Sequence, residues 1–171
     1  MRPPIVLPAL VALGLLAPSA DAHVTLESRS APAGSYYKAV FRVPHGCEGA
    51  ATTGLRVQLP EGAVSVKPMP KPGWTLAIVR APLSTPIKAD HGTITEVVRE
   101  VSWEGGRLPD EQFDEFALMM KLPDAPGRLY FPVIQECDAK VVRWIDIPSE
   151  SASSASRTPA PGMTLTPKSS P

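Results

Sequence analysis

The stretch Leu55-Arg56-Val57-Gln58-Leu59-Pro60-Glu61-Gly62 carries the fold in miniature. Leu55, Val57 and Leu59 alternate with Arg56 and Gln58, the period of a strand with one buried face. Pro60-Glu61-Gly62 then turns the chain. The same pattern recurs at Trp74, Leu76 and Ile78, which alternate with Thr75 and Ala77 after Lys71-Pro72-Gly73. Residues 36–43, 63–67, 93–103, 129–136 and 140–147 read as further strands. Apolar alternation with turn signals every ~8 to 12 residues predicts an all-β fold, an antiparallel immunoglobulin-like or fibronectin-like β-sandwich.

Composition supports this and removes other classes. The chain has 171 residues, of which 21 are Pro, against an average near ~5%. Proline removes a backbone donor and clashes with the preceding helical turn, so long helices, bundles and coiled coils are excluded. Lys+Arg 17 balances Asp+Glu 17, which argues against a nucleic-acid partner and its basic stripe. One local segment departs from the strand pattern. In residues 110–122, Phe113, Phe116, Ala117 and Met120 fall at helical spacing after Pro109-Asp110, which predicts a helix. Strand alternation, with Phe113, Glu115, Ala117 and Met119 on one face, also fits.

The ends of the chain read differently from its middle. Arg2, the apolar residues 5–16 and the small-x-small Ala20-Asp21-Ala22 match a secretory signal peptide over 1–22, cut after Ala22. The apolar run is too short to span a bilayer, and no second one follows, so no transmembrane anchor is expected. A periplasmic or secreted, extracytoplasmic location follows. Residues 23–148 form the expected domain. Residues 149–171 hold seven Ser and four Pro, and are expected to be a disordered Ser/Pro-rich tail.

Two cysteines in an exported chain most simply make one disulfide, Cys47 to Cys137, worth up to about 4–5 kcal/mol on the chain-entropy argument. A thiolate copper site of the blue-copper type is disfavoured, because no histidine follows Cys137.

Cleavage after Ala22 makes His23 the N-terminal residue. Its α-amino group and imidazole Nδ1 can then close one chelate ring on a metal. Among divalent first-row ions, nitrogen donors hold Cu(II) most tightly. His45, before Gly46-Cys47, and His91, in Ala89-Asp90-His91-Gly92, read as turn and loop residues. Met69, Met119 and Met120 lack the close Met/His spacing of a Cu(I) carrier.

From His23 onward the sequence resembles the YcnI-like copper-binding domain family. The resemblance rests on His23-Val24-Thr25-Leu26, Pro32-Ala33-Gly34-Ser35-Tyr36, Phe41-Arg42-Val43-Pro44-His45-Gly46-Cys47 and Ala51-Thr52-Thr53. It continues through Val66-Lys67-Pro68, Lys71-Pro72-Gly73-Trp74, Trp103-Glu104-Gly105-Gly106, Leu108-Pro109-Asp110 and Phe113-Asp114-Glu115-Phe116. It closes with Phe131-Pro132-Val133-Ile134-Gln135-Glu136-Cys137 and Val142-Arg143-Trp144.

The resemblance implies an all-β domain of an exported bacterial protein that works with other copper-handling proteins. It implies Cu(II) in a monohistidine brace on the amine and imidazole of His23. It also implies a carboxylate ligand, matched to Glu115 with Asp114 as the alternative, and a tryptophan beside the metal, matched to Trp144. It favours strand over helix for residues 113–121. The expected function is copper carriage or buffering in copper homeostasis, without catalysis. The competing readings are a copper oxidase or monooxygenase, which needs His45 or His91 as a second histidine ligand, and a metal-free structural module.

Overall fold

The structure, a computed structural model, describes residues 23–89, 92–148 and 156–168. The expected signal peptide and His91 lie outside the described residues. Among the described residues twelve strands follow in order: β1 (Thr25–Leu26), β2 (Ser30–Pro32), β3 (Tyr36–Val43), β4 (Thr52–Gln58), β5 (Val64–Pro68) and β6 (Thr75–Ala89). Then come β7 (Gly92–Leu108), β8 (Asp114–Lys121), β9 (Gly127–Tyr130), β10 (Val133–Cys137), β11 (Lys140–Trp144) and β12 (Gly162–Thr166). Among the described residues no helix is long and apolar enough to cross a membrane.

The strands form three sheets, ordered β1-β3-β8-β5, β11-β10-β4-β7-β6 and β2-β12-β9. Leu55 and Val57 on β4 are fully buried and Leu59 nearly so, while Gln58 is exposed, as their alternation predicts. They meet Phe41 and Val43 of β3, Phe116 and Leu118 of β8, and Val101 and Trp103 of β7 in one core. Full burial of such side chains is worth about 1.5–3 kcal/mol each. Edge-on aromatic contacts fix the packing: Phe41 lies 5.6 Å from Phe131, and Trp103 lies 5.5 Å from Phe116.

Residues 114–121 are the strand β8, and the helix expected locally does not form. They pair residue by residue with β3, from Tyr36↔Lys121 to Val43↔Asp114. Pairing puts Phe116, Leu118 and Met120 inside and leaves Phe113 exposed, whereas a helix would have buried Phe113 with Phe116. The expected run 129–136 is two strands, β9 and β10, parted at Phe131-Pro132.

The expectation of disorder over 149–171 is corrected for residues 156–168. β12 pairs in parallel with β2 and antiparallel with β9, burying Met163 and Leu165 almost completely. Ala160 is buried just before it. The segment has few apolar residues, but Met163 and Leu165 are two apart and so share one face of a strand. Two partner strands then satisfy its backbone, and the ordered domain extends well past residue 148.

Candidate metal centre

His23 lies two residues before Thr25, the first residue of β1; Val24 and Leu26 are buried, and His23 and Thr25 only partly so. The buried pair ties the start of the domain into the core, and β1 pairs with β3 through Thr25↔Arg42 and Leu26↔Phe41. His23 is therefore carried on an anchored strand end.

Among the described residues, Trp144 and Arg157 both contact its ring. The imidazole stands edge-on to the indole of Trp144, with centroids 5.3 Å apart and planes at 86°. Nε2 lies 3.1 Å from the carbonyl oxygen of Arg157. A carbonyl only accepts, so this hydrogen bond places a proton on Nε2; in the neutral ring the lone pair is then on Nδ1. Nδ1 is the nitrogen that a chelate with the α-amino group requires. A backbone carbonyl that fixes the tautomer and tilt of a metal-binding histidine is a common outer-shell device.

The Arg157 carbonyl is held in turn by Asp146, two residues beyond Trp144. Asp146 N donates to Thr158 O at 3.1 Å, and Ala160 N donates to Asp146 O at 2.9 Å. The Asp146 carboxylate accepts hydrogen bonds from the hydroxyls of Ser156 and Thr158. Those two bonds hold its carboxyl below the usual aspartate range.

Trp144 is positioned from behind. Its Nε1 donates to Oε1 of Gln135 at 3.0 Å, and Gln135 is 1% exposed. Gln135 Nε2 donates to His45 O at 2.9 Å and to Thr52 Oγ1 at 2.8 Å. Because the indole can only donate and the carbonyl can only accept, the amide has one possible orientation. Thr52 Oγ1 lies 3.7 Å from Cys137 Sγ, and Cys137 is disulfide-bonded to Cys47 with Cα atoms 6.0 Å apart. A continuous buried polar path thus runs from the disulfide to the wall of His23.

Glu115 lies across β3 from β1, in the row Thr25–Arg42–Glu115. Arg42 Nε donates to Glu115 at 3.1 Å, and its Nη2 donates to Glu27 at 2.8 Å. Asp114 is held differently, by Lys71 Nζ at 2.7 Å. Among the described residues, no three His, Cys, Asp or Glu side chains form a cluster able to hold a metal. His45 is at the disulfide end, its Nδ1 against Gly46 O and 4.0 Å from Asp110. Met69, just after β5, and Met119 of β8 are half exposed, and Met120 is in the core.

Sequence reasoning missed Gln135, Asp146 and Arg157. The approach of Gln135 to Thr52 and His45 spans 83 and 90 positions, and Arg157 acts through its backbone. No local pattern signals either arrangement.

A family model described as a domain of unknown function (DUF1775), the YcnI-like family, matches residues 23–165. The chain belongs to this family. The match starts at His23 and ends inside β12, so this YcnI-like domain runs past residue 148 as far as residue 165. The chain is also similar to a solved structure, an uncharacterized protein from Nocardia farcinica with an immunoglobulin-like fold. The two are 31% identical with a TM-score of 0.63, over 84% of this chain and 97% of that one. No curated protein matches the chain.

Proposed function

We propose that this YcnI-like protein is an exported carrier or buffer of Cu(II), and not an enzyme. The ion is cargo, held by the α-amino group and Nδ1 of His23 once the chain has been cut after Ala22. Glu115 supplies the third ligand by exchanging Arg42 for the metal, and Trp144 walls the site on one side. The observation that supports this reading is the orientation of the His23 ring by Arg157 O, bonded at Nε2, and by Trp144; in the neutral ring that bond makes Nδ1 the nitrogen able to bind a metal. A solvated, incidental histidine needs neither contact. The disulfide suits an oxidising compartment outside the cytoplasm, where other copper-handling proteins would load and unload the site.

Blocking the amine tests the reading. Mature protein beginning at His23 should bind Cu(II) with a nitrogen-rich EPR signature. Protein with one extra residue before His23 should bind far more weakly and with a different spectrum. Equal affinity and equal spectra for the two forms would sink the brace. N-terminal mass spectrometry of secreted protein establishes whether His23 is the first residue.

A further inference from the structure

Beside His23, on the side of β9 and β12, a cleft of about 360 Å³ opens to solvent. Its size is that of a small-molecule site. Arg29 and Arg128 both line it, and among the described residues no Asp or Glu does. Neither guanidinium meets a carboxylate among the described residues, whereas Arg42, Arg56, Arg80 and Arg107 are each paired with one. In the processed protein the α-amino group of His23 adds a third positive group. For a site that takes up a cation, this local charge has the wrong sign.

The cleft is also built. Gly162 of β12 is opposite Tyr130 of β9, and a Cβ at Gly162 would come within 3.0 Å of the Tyr130 ring. Glycine there lets the ring lie against the strand. The Arg128 guanidinium lies 5.6 Å from that ring centroid, and its Nη1 donates to Thr164 Oγ1 at 2.8 Å. Stacking and one hydrogen bond hold the fork in place and leave most of its five donors for a ligand.

We infer that this cleft binds a small carboxylate anion, received by Arg128 and Arg29 next to His23. Planar guanidinium forks match carboxylates in a bidentate manner, and flanking positive charge strengthens the contact. The anion site stands on the cleft alone. Its coupling to metal rests on the proposed function: a carboxylate beside His23 offsets the charge of Cu(II), so each ligand strengthens the other.

The test uses the mature protein at constant ionic strength. In the metal-free form, succinate should produce saturable amide shifts at Arg29, Tyr130 and Gly162 in a ¹⁵N-resolved titration. Arg29→Gln and Arg128→Gln should each weaken binding roughly tenfold, the loss of a charge-assisted contact. Arg128→Lys, which keeps the charge without the fork, should also weaken it, and Arg107→Gln should not.

A linear, unsaturated response overturns the site. So does equal weakening by Arg107→Gln, which would show general attraction only, or saturation by inorganic phosphate and not by succinate. With Cu(II) kept below one equivalent, the carboxylate resonance of ¹³C-succinate should broaden in wild type and not in Arg128→Gln. Saturable binding without that broadening, in protein shown by EPR to hold Cu(II), overturns the coupling alone. Failure to hold Cu(II) overturns the proposed function and leaves the anion site standing.

Discussion

The indole of Trp144 and the amide of Gln135 meet at 3.0 Å in the interior of the domain, and the amide's other atoms are committed to His45 and Thr52. Gln135→Leu removes three hydrogen bonds and leaves an indole N–H, a hydroxyl and a carbonyl without that partner. The expected loss is about 3 kcal/mol, since each orphaned buried group costs about 1–3 kcal/mol and partial relaxation recovers some. Urea unfolding of the variant measures it. A change below ~1 kcal/mol would show that the amide does not hold this region together.

Trp144 should report on metal at His23. Cu(II) quenches nearby indoles, and the 5.3 Å ring contact makes Trp144 the expected emitter to respond, with Trp74 and Trp103 contributing background. Trp144→Phe keeps an aromatic wall and should lose most of the quench while Cu(II) affinity changes less than ~10-fold, a shift of about 1.4 kcal/mol. Unchanged quenching in the variant would place the metal elsewhere.

Ending the chain at Pro148 deletes β12 and with it the buried Ala160, Met163 and Leu165. At about 1.5–3 kcal/mol for each large side chain, the domain should lose about 4 kcal/mol or more. It should also lose the Arg157 carbonyl behind His23. Thermal melts of the truncated and full chains decide this, and equal melting temperatures would contradict it.

The Cys47–Cys137 bond closes a separation of 90 residues. Replacing both cysteines with alanine should cost about 2–5 kcal/mol, the range for native disulfides in small exported domains. Denaturant midpoints under non-reducing conditions test this. Reduction of wild type should reproduce the shift.

Asp146 sets the acid limit of the segment behind His23. Hydrogen bonds from Ser156 and then Thr158 depress its carboxyl pKa. A depressed carboxyl contributes stability above its unfolded pKa and loses it as pH falls through the folded value. Amide exchange at Thr158 and Ala160 should therefore stay slow through neutral pH after correction for intrinsic rates. It should rise only below the ordinary aspartate range. Asp146→Ala should show the fast exchange at every pH, and a pH-independent wild-type profile would remove Asp146 from this role.

The sandwich could be read from residues such as Leu55, Val57 and Leu59 because burial on one face writes itself into sequence at period two. Phe113 to Met120 could not be resolved that way. Helix spacing fits Phe113, Phe116, Ala117 and Met120, strand spacing fits Phe113, Glu115, Ala117 and Met119, and the deciding term is pairing with Tyr36–Val43, far away in sequence. Met163 and Leu165 were lost in a Ser/Pro composition, although two apolar residues suffice when two other strands supply the backbone partners. At the candidate metal centre, the chemistry of a processed N-terminus singles out His23 and family likeness singles out Trp144, and the structure brings their rings within 5.3 Å. What holds them, an amide, a carbonyl and a carboxylate from distant strands, has no sequence period to betray it.

The hydrogen bond between His23 and Arg157 joins residues 134 positions apart. The two residues meet only when the fold has closed over every strand between them. The tilt of the His23 ring is therefore a property of the completed domain and not of the segment that carries it. A fragment ending before Arg157 and β12 would keep the histidine and lose the carbonyl that orients it, so any chemistry at that ring would be gated by tertiary folding.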